Sequence, residues 1–135
     1  MTPNWSLKAD QPMASDPLSK VRDEALIISD EVMGKLASYR IGPKLELLSG
    51  VDPRSERDRL TRVLDALADE IIAGVRASPR KLFVMERFQH ALEQVQMEDT
   101  EAREHFGTEL ERLMDLLGID SSDGLLNHYV LGLDL

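Results

Sequence analysis

Apolar residues return at alternating steps of three and four from Asp16 onward, and strict apolar–polar alternation nowhere persists for a strand's length. Steps of three and four keep side chains on one stripe of an α-helix, whereas a half-buried strand needs a period of two. An all-α fold is therefore expected. Leu18, Val21, Ala25, Ile28, Val32 and Leu36 predict a first helix over residues 17–38, opened by Asp16-Pro17, where Asp can cap and Pro lacks only a donor that would go unpaired. Arg40-Ile41-Gly42-Pro43 breaks it, and Lys44 to Leu48 suits a short helical turn.

Leu60, Val63, Leu64, Leu67, Ile71 and Val75 predict a second helix over 55–77, with acids at its start. Ser78-Pro79 opens a third over 79–96, carried by Leu82, Met85, Phe88, Leu92 and Val95. Ala102, Phe106, Leu110, Leu113 and Leu117 trace a fourth over 100–117, and Gly118 followed by Ile119 suits a left-handed terminus with its apolar contact. A short fifth, over 122–131, carries Leu125, Leu126, Tyr129 and Val130 and is capped by Asp120 or Ser121. No repeat of fixed period is present, and short connections favour antiparallel neighbours. The expected architecture is a single-domain bundle of four to five helices over residues 15–135, with a leucine-rich core including Phe83, Phe88 and Phe106. Residues 1–14, rich in Pro and polar residues, read as a flexible arm in which Trp5 is an anchor candidate.

The 135 residues carry a net charge of −9, and its placement excludes partners. Residues 1–92 balance 14 basic against 14 acidic side chains, whereas 93–135 hold 11 acids against Arg103 and Arg112. Nucleic acid and anionic lipid both require positive charge, so neither is an expected partner. No apolar run exceeds four residues, as at Ala25 to Ile28, far short of the ~20 residues of a membrane span. No export signal is legible at residues 1–8, and a cytoplasmic location is expected. Without cysteine there is no disulfide, thiolate metal site or cysteine nucleophile.

Three constellations invite chemistry. Glu101, His105 and Glu109 are spaced i, i+4, i+8 and would share a helix face. A di-iron bundle, however, uses Glu-x-x-His pairs, which neither His90 nor His105 completes. Asp120-Ser121-Ser122-Asp123-Gly124 fails the spacing of a calcium loop, since with Gly124 at position six Val130 falls at twelve. Arg54, Arg57, Arg59 and Arg62 are interleaved with Asp52, Glu56 and Asp58, so they suit ion pairs, on their own surface or with the acidic third, better than phosphate. Hydrolase and phosphate-loop signatures are missing. No cofactor, metal or catalytic residue is expected.

Ile119-Asp120-Ser121-Ser122-Asp123-Gly124-Leu125-Leu126-Asn127, with Tyr129 and Gly132-Leu133-Asp134 after it and Met114-Asp115-Leu116-Leu117-Gly118 before it, resembles the tail of a bacterial family of short helical domains of unknown function. The resemblance implies an all-helical domain and carries over no activity. The expected role is a non-enzymatic protein-binding module, with an immunity-type inhibitor as one version. Its partner would be a basic protein. The expected contact residues are Glu101, Glu104, Glu109, Glu111, Asp115 and Tyr129, with Leu125 to Leu135 alongside. The alternatives are a homo-oligomer packed through the C-terminal helix, in which case a dimer is expected, and a metal-dependent hydrolase using His105 with Glu101 and Glu109.

Overall fold

The computed structural model describes residues 16–48 and 53–131, the side chains of 53–55 excepted. Trp5 and the arm over 1–14, like the Gly132-Leu133-Asp134 landmark, lie outside the described residues. A 3-10 turn, Pro17–Lys20, precedes five α-helices: α1 (Asp30–Ile41), α2 (Pro53–Gly74), α3 (Lys81–Val95), α4 (Thr100–Leu117) and α5 (Leu125–Val130). Among the described residues there is no strand, so the chain is an all-α single-domain bundle.

The helices close a circuit. α1 packs on α2 and α4, α2 on α3, and α3 and α4 both on α5. Inside lie Leu36, Leu64, Ile71, Phe88, Phe106, Leu110 and Leu113, each fully buried. Removing a side chain of that size from water contributes about 1.5–3 kcal/mol. Phe83 is only half-buried, its ring seated against Gly74, where a Cβ would fall 2.6 Å from Cζ.

The long helices follow their stripes. α4 begins and ends as expected: Asp99 accepts a hydrogen bond from the Ala102 amide, and Gly118 takes the left-handed conformation at φ 78°. The amide of Ile119 then donates to the Met114 carbonyl at 2.9 Å, and the Ile119 side chain is buried. Only a residue without a Cβ adopts that backbone at little cost, which is why the helix stops there.

The first predicted helix is a correction. Residues 17–38 do not form one helix. Asp16 does cap, accepting from the Leu18 amide at 3.0 Å, but the turn it caps ends at Lys20, and the chain runs non-helically to Ser29, whose hydroxyl caps α1. The reason lies in α3. Its start lacks a side-chain cap of its own, with Arg80 at the capping position. Residues 23–26 supply what is missing: Glu24 accepts from the Lys81 amide at 2.8 Å and the Asp23 carboxylate accepts from the Leu82 amide at 2.9 Å. In return the Leu26 amide donates to the Pro79 carbonyl at 2.7 Å, forming a single bridge between Ala25 and Arg80. Orphan amides at a helix start must find acceptors, and here tertiary pairing overrides an apolar spacing whose members are mostly half-exposed. This non-helical strap, residues 21–29, leaves Ala25 and Ile27 exposed and only partly buries Val21, Leu26 and Ile28.

Other boundaries move as well: the second helix spans Pro53–Gly74 rather than 55–77, and the third begins at Lys81, so Ser78-Pro79 does not open it. The helical turn expected at Lys44 to Leu48 is non-helical, with Leu45 at φ 58°. The fifth helix starts at Leu125 behind Gly124, and Ser122, rather than Asp120 or Ser121, accepts from its Leu126 amide at 3.2 Å.

Candidate partner-binding surface

α4 presents its acids by period. Positions 101, 104, 108, 111 and 115 follow steps of three and four, so Glu101, Glu104, Glu111 and Asp115 fall with Thr108 on one exposed stripe. At 1.5 Å per residue the stripe runs roughly 21 Å. Glu101 lies 3.9 Å from His105 Nε2, as i, i+4 neighbours do. Neither Glu104 nor Glu111 enters an ion pair with the described residues, leaving both charges to face solvent.

α5 turns this stripe into a cleft. Glu104, Thr108 and Glu111 on α4 and Asn127 on α5 rim a cavity of about 210 Å³, with Leu126 and Val130 supplying apolar walls. Leu131, at its end, is 47% exposed. The helices approach closely because residue 107 is glycine: a Cβ there would stand 2.8 Å from Val130 Cγ2. Asn127 lies within the expected Leu125 to Leu135 segment, whereas Thr108 is not among the expected contacts, although it occupies a position of the acidic stripe.

Glu109 is a correction to the expected surface. It is buried at 6% exposure, one step off the stripe, and its carboxylate is fully engaged. Tyr39 donates its hydroxyl to Oε1 at 3.1 Å, the Leu45 amide donates to Oε2 at 2.9 Å, and Arg112 Nη1 donates to Oε1 at 2.9 Å. Of the three donors, the Leu45 amide ties the left-handed Leu45 and its turn to α4, and the Tyr39 hydroxyl ties α1 to it. Burial, with the Glu109 charge alongside, pushes the Tyr39 phenol well above its ordinary range. The predicted triad of Glu101, His105 and Glu109 therefore does not converge. Among the described residues no group of three His, Cys, Asp or Glu side chains is placed to hold a metal ion.

Tyr129 also departs from the acidic stripe. Its hydroxyl accepts from Gln89 at 3.3 Å and donates to Glu93 at 3.3 Å, both on α3, and burial raises its pKa. Arg59 of the basic run reaches the acidic third of the same molecule, pairing through two nitrogens with Glu98 at 3.2 and 2.9 Å. Arg57 donates instead to the Leu45 and Leu48 carbonyls. Asp123, from the segment weighed as a calcium loop, is paired with the buried Lys81.

No helix among the described residues is long and apolar enough to cross a membrane. No curated protein and no solved structure matches the chain. Residues 29–134, which take in all five helices, match a family described as a domain of unknown function, DUF4844. By that match the chain belongs to the DUF4844 family.

Proposed function

We propose that this domain is a non-catalytic, cytoplasmic protein-binding module whose cleft between α4 and α5 takes a basic, amphipathic segment of a partner protein. The observation that carries the reading is the union, in one cavity, of two carboxylates with no ion pair among the described residues, Glu104 and Glu111, with the apolar walls of Leu126 and Val130. An apolar anchor in a desolvated pocket contributes most of the affinity in such contacts, while surrounding charges steer encounter and select the partner. Glu101 and Asp115 extend the negative field to either end of the cleft, and the pI near 4.8 acts in the same sense. An inhibitor that neutralises a basic enzyme or toxin fits this chemistry, by analogy with other small acidic helical proteins.

The test is capture from a native-host lysate with the tagged domain at low and high salt, beside a Glu104→Lys/Glu111→Lys variant. A basic protein recovered at low salt, depleted at high salt and lost by the variant supports the reading. Equal recovery by the variant, with its helical circular dichroism intact, overturns it.

A further inference from the structure

A second cleft, of about 400 Å³, opens between the C-terminal half of α1, the turn after it and α4. That volume falls within the roughly 300–1,000 Å³ of small-molecule sites. Tyr39 and Leu116 give it apolar walls, Lys35, Arg112 and Ser38 give it donors, and Glu46 brings one carboxylate to the rim.

Arg112 is the organising group. Its guanidinium lies over the Tyr39 ring at 5.2 Å, and Nη1 is fixed by Glu109. Glu109 is itself immobilised by the Tyr39 hydroxyl and the Leu45 amide. Arg112 thus spends one donor on being held, while its side chain stays 53% exposed. The remaining donors keep the planar fork that matches a carboxylate. Lys44, on the same ring at 4.7 Å, is occupied by Asp65 and by the Arg40 and Gly42 carbonyls, so it supports the Tyr39 wall without being available to a ligand.

We infer that this cleft binds a small organic monocarboxylate, its head on Arg112 and Lys35 and its apolar body against Tyr39 and Leu116. Arg112 and Lys35 can both donate to one carboxylate head, while Glu46, with Glu109 on Arg112 and Glu31 on Lys35, disfavours a second negative charge on the ligand. The apolar walls disfavour inorganic anions, which have no body to bury. The site is independent of the α4–α5 cleft, so failure of one leaves the other standing.

The test follows backbone amide shifts in ¹H–¹⁵N correlation spectra while the whole chain is titrated with 3-phenylpropionate, and in parallel with its neutral counterpart 3-phenylpropan-1-ol. Saturable shifts at Ser38, Gly42 and Arg112 are expected, with the alcohol weaker by on the order of tenfold, the loss of one charge-assisted contact. Arg112→Gln should weaken the acid by a similar factor. Lys35→Gln, which removes only an exposed i, i+4 pair with Glu31, should weaken it about threefold with the spectrum otherwise unchanged. The inference is overturned by no saturable shift in the cleft, by equal binding of acid and alcohol, or by an affinity that Lys35→Gln leaves unaltered.

Discussion

The Lys81 ammonium donates to the Asp123 carboxylate at 2.8 Å across 42 residues of sequence, with 2% of the lysine side chain and 13% of the aspartate side chain exposed. This pair ties the start of α3 to the loop before α5. The same Asp123 oxygen also accepts from the Arg22 amide at 2.8 Å, so the strap is fastened at the same point. Removing one partner of a buried pair leaves the other charge uncompensated. Asp123→Asn, which keeps a side chain tolerant of the left-handed backbone at φ 54°, should therefore cost about 3 kcal/mol in urea unfolding. Lys81→Met should cost less, because a lone aspartate at this edge can still reach water.

The strap should loosen in acid before the core does. The Asp23 carboxyl is held below its ordinary range by the Arg80 hydrogen bond and then the Leu82 amide, and Asp123 by the Lys81 hydrogen bond and then the Arg22 amide. A carboxylate with a depressed native pKa binds its proton more readily when unfolded. Its stabilisation is complete above the unfolded value near 3.9 and is lost as pH falls through the lower native values. Hydrogen exchange at the Leu26 and Lys81 amides should accelerate, relative to Phe88 and Leu92, below roughly pH 4. Equal acceleration in strap and core at low pH would contradict this.

Tyr39→Phe removes one of three donors from the buried Glu109 and should lower stability by about 1 kcal/mol. Glu109→Leu should cost more, since it orphans the Leu45 amide and releases a turn whose left-handed leucine is strained. The Leu45 amide resonance is the direct reporter: it should shift strongly in Glu109→Leu and weakly in Tyr39→Phe.

Glu56 behaves oppositely to Asp23 and Asp123. Burial, then Asp99 and Glu98, raise its pKa, so its ionised form opposes folding at neutral pH. Glu56→Gln should raise the thermal midpoint by about 2 °C, in keeping with roughly half a kcal/mol for a partly screened repulsion.

The fold was legible wherever a stripe had its own ends. α4 carries its cap at Asp99, its apolar period and its stop at Gly118 within one stretch, and its predicted and observed limits coincide at Thr100 and Leu117. The strap was not legible, because its conformation is decided by amides 55 or more residues away at the start of α3 that lack a local acceptor. At the surface, Glu104, Glu111 and Asp115 could be read from helical period. Glu109 could not: it lies one step around the helix, and its burial depends on Tyr39 and Leu45 arriving from α1 and the following turn. Lys81 had a faint signal, since Val84 and Phe88 continue from it at steps of three and four, placing a lysine at a core position.

The cleft between α4 and α5 is the centre of the functional reading, and the most direct measurement is the association rate of the captured partner with the wild-type domain and with Glu104→Lys/Glu111→Lys, across a salt series. The reading predicts association slowed at least tenfold by the charge reversal at low salt, with the two curves converging as salt rises and screening shortens the field. An association rate unchanged by the reversal at low salt, in a variant that keeps its helical signal, would contradict it.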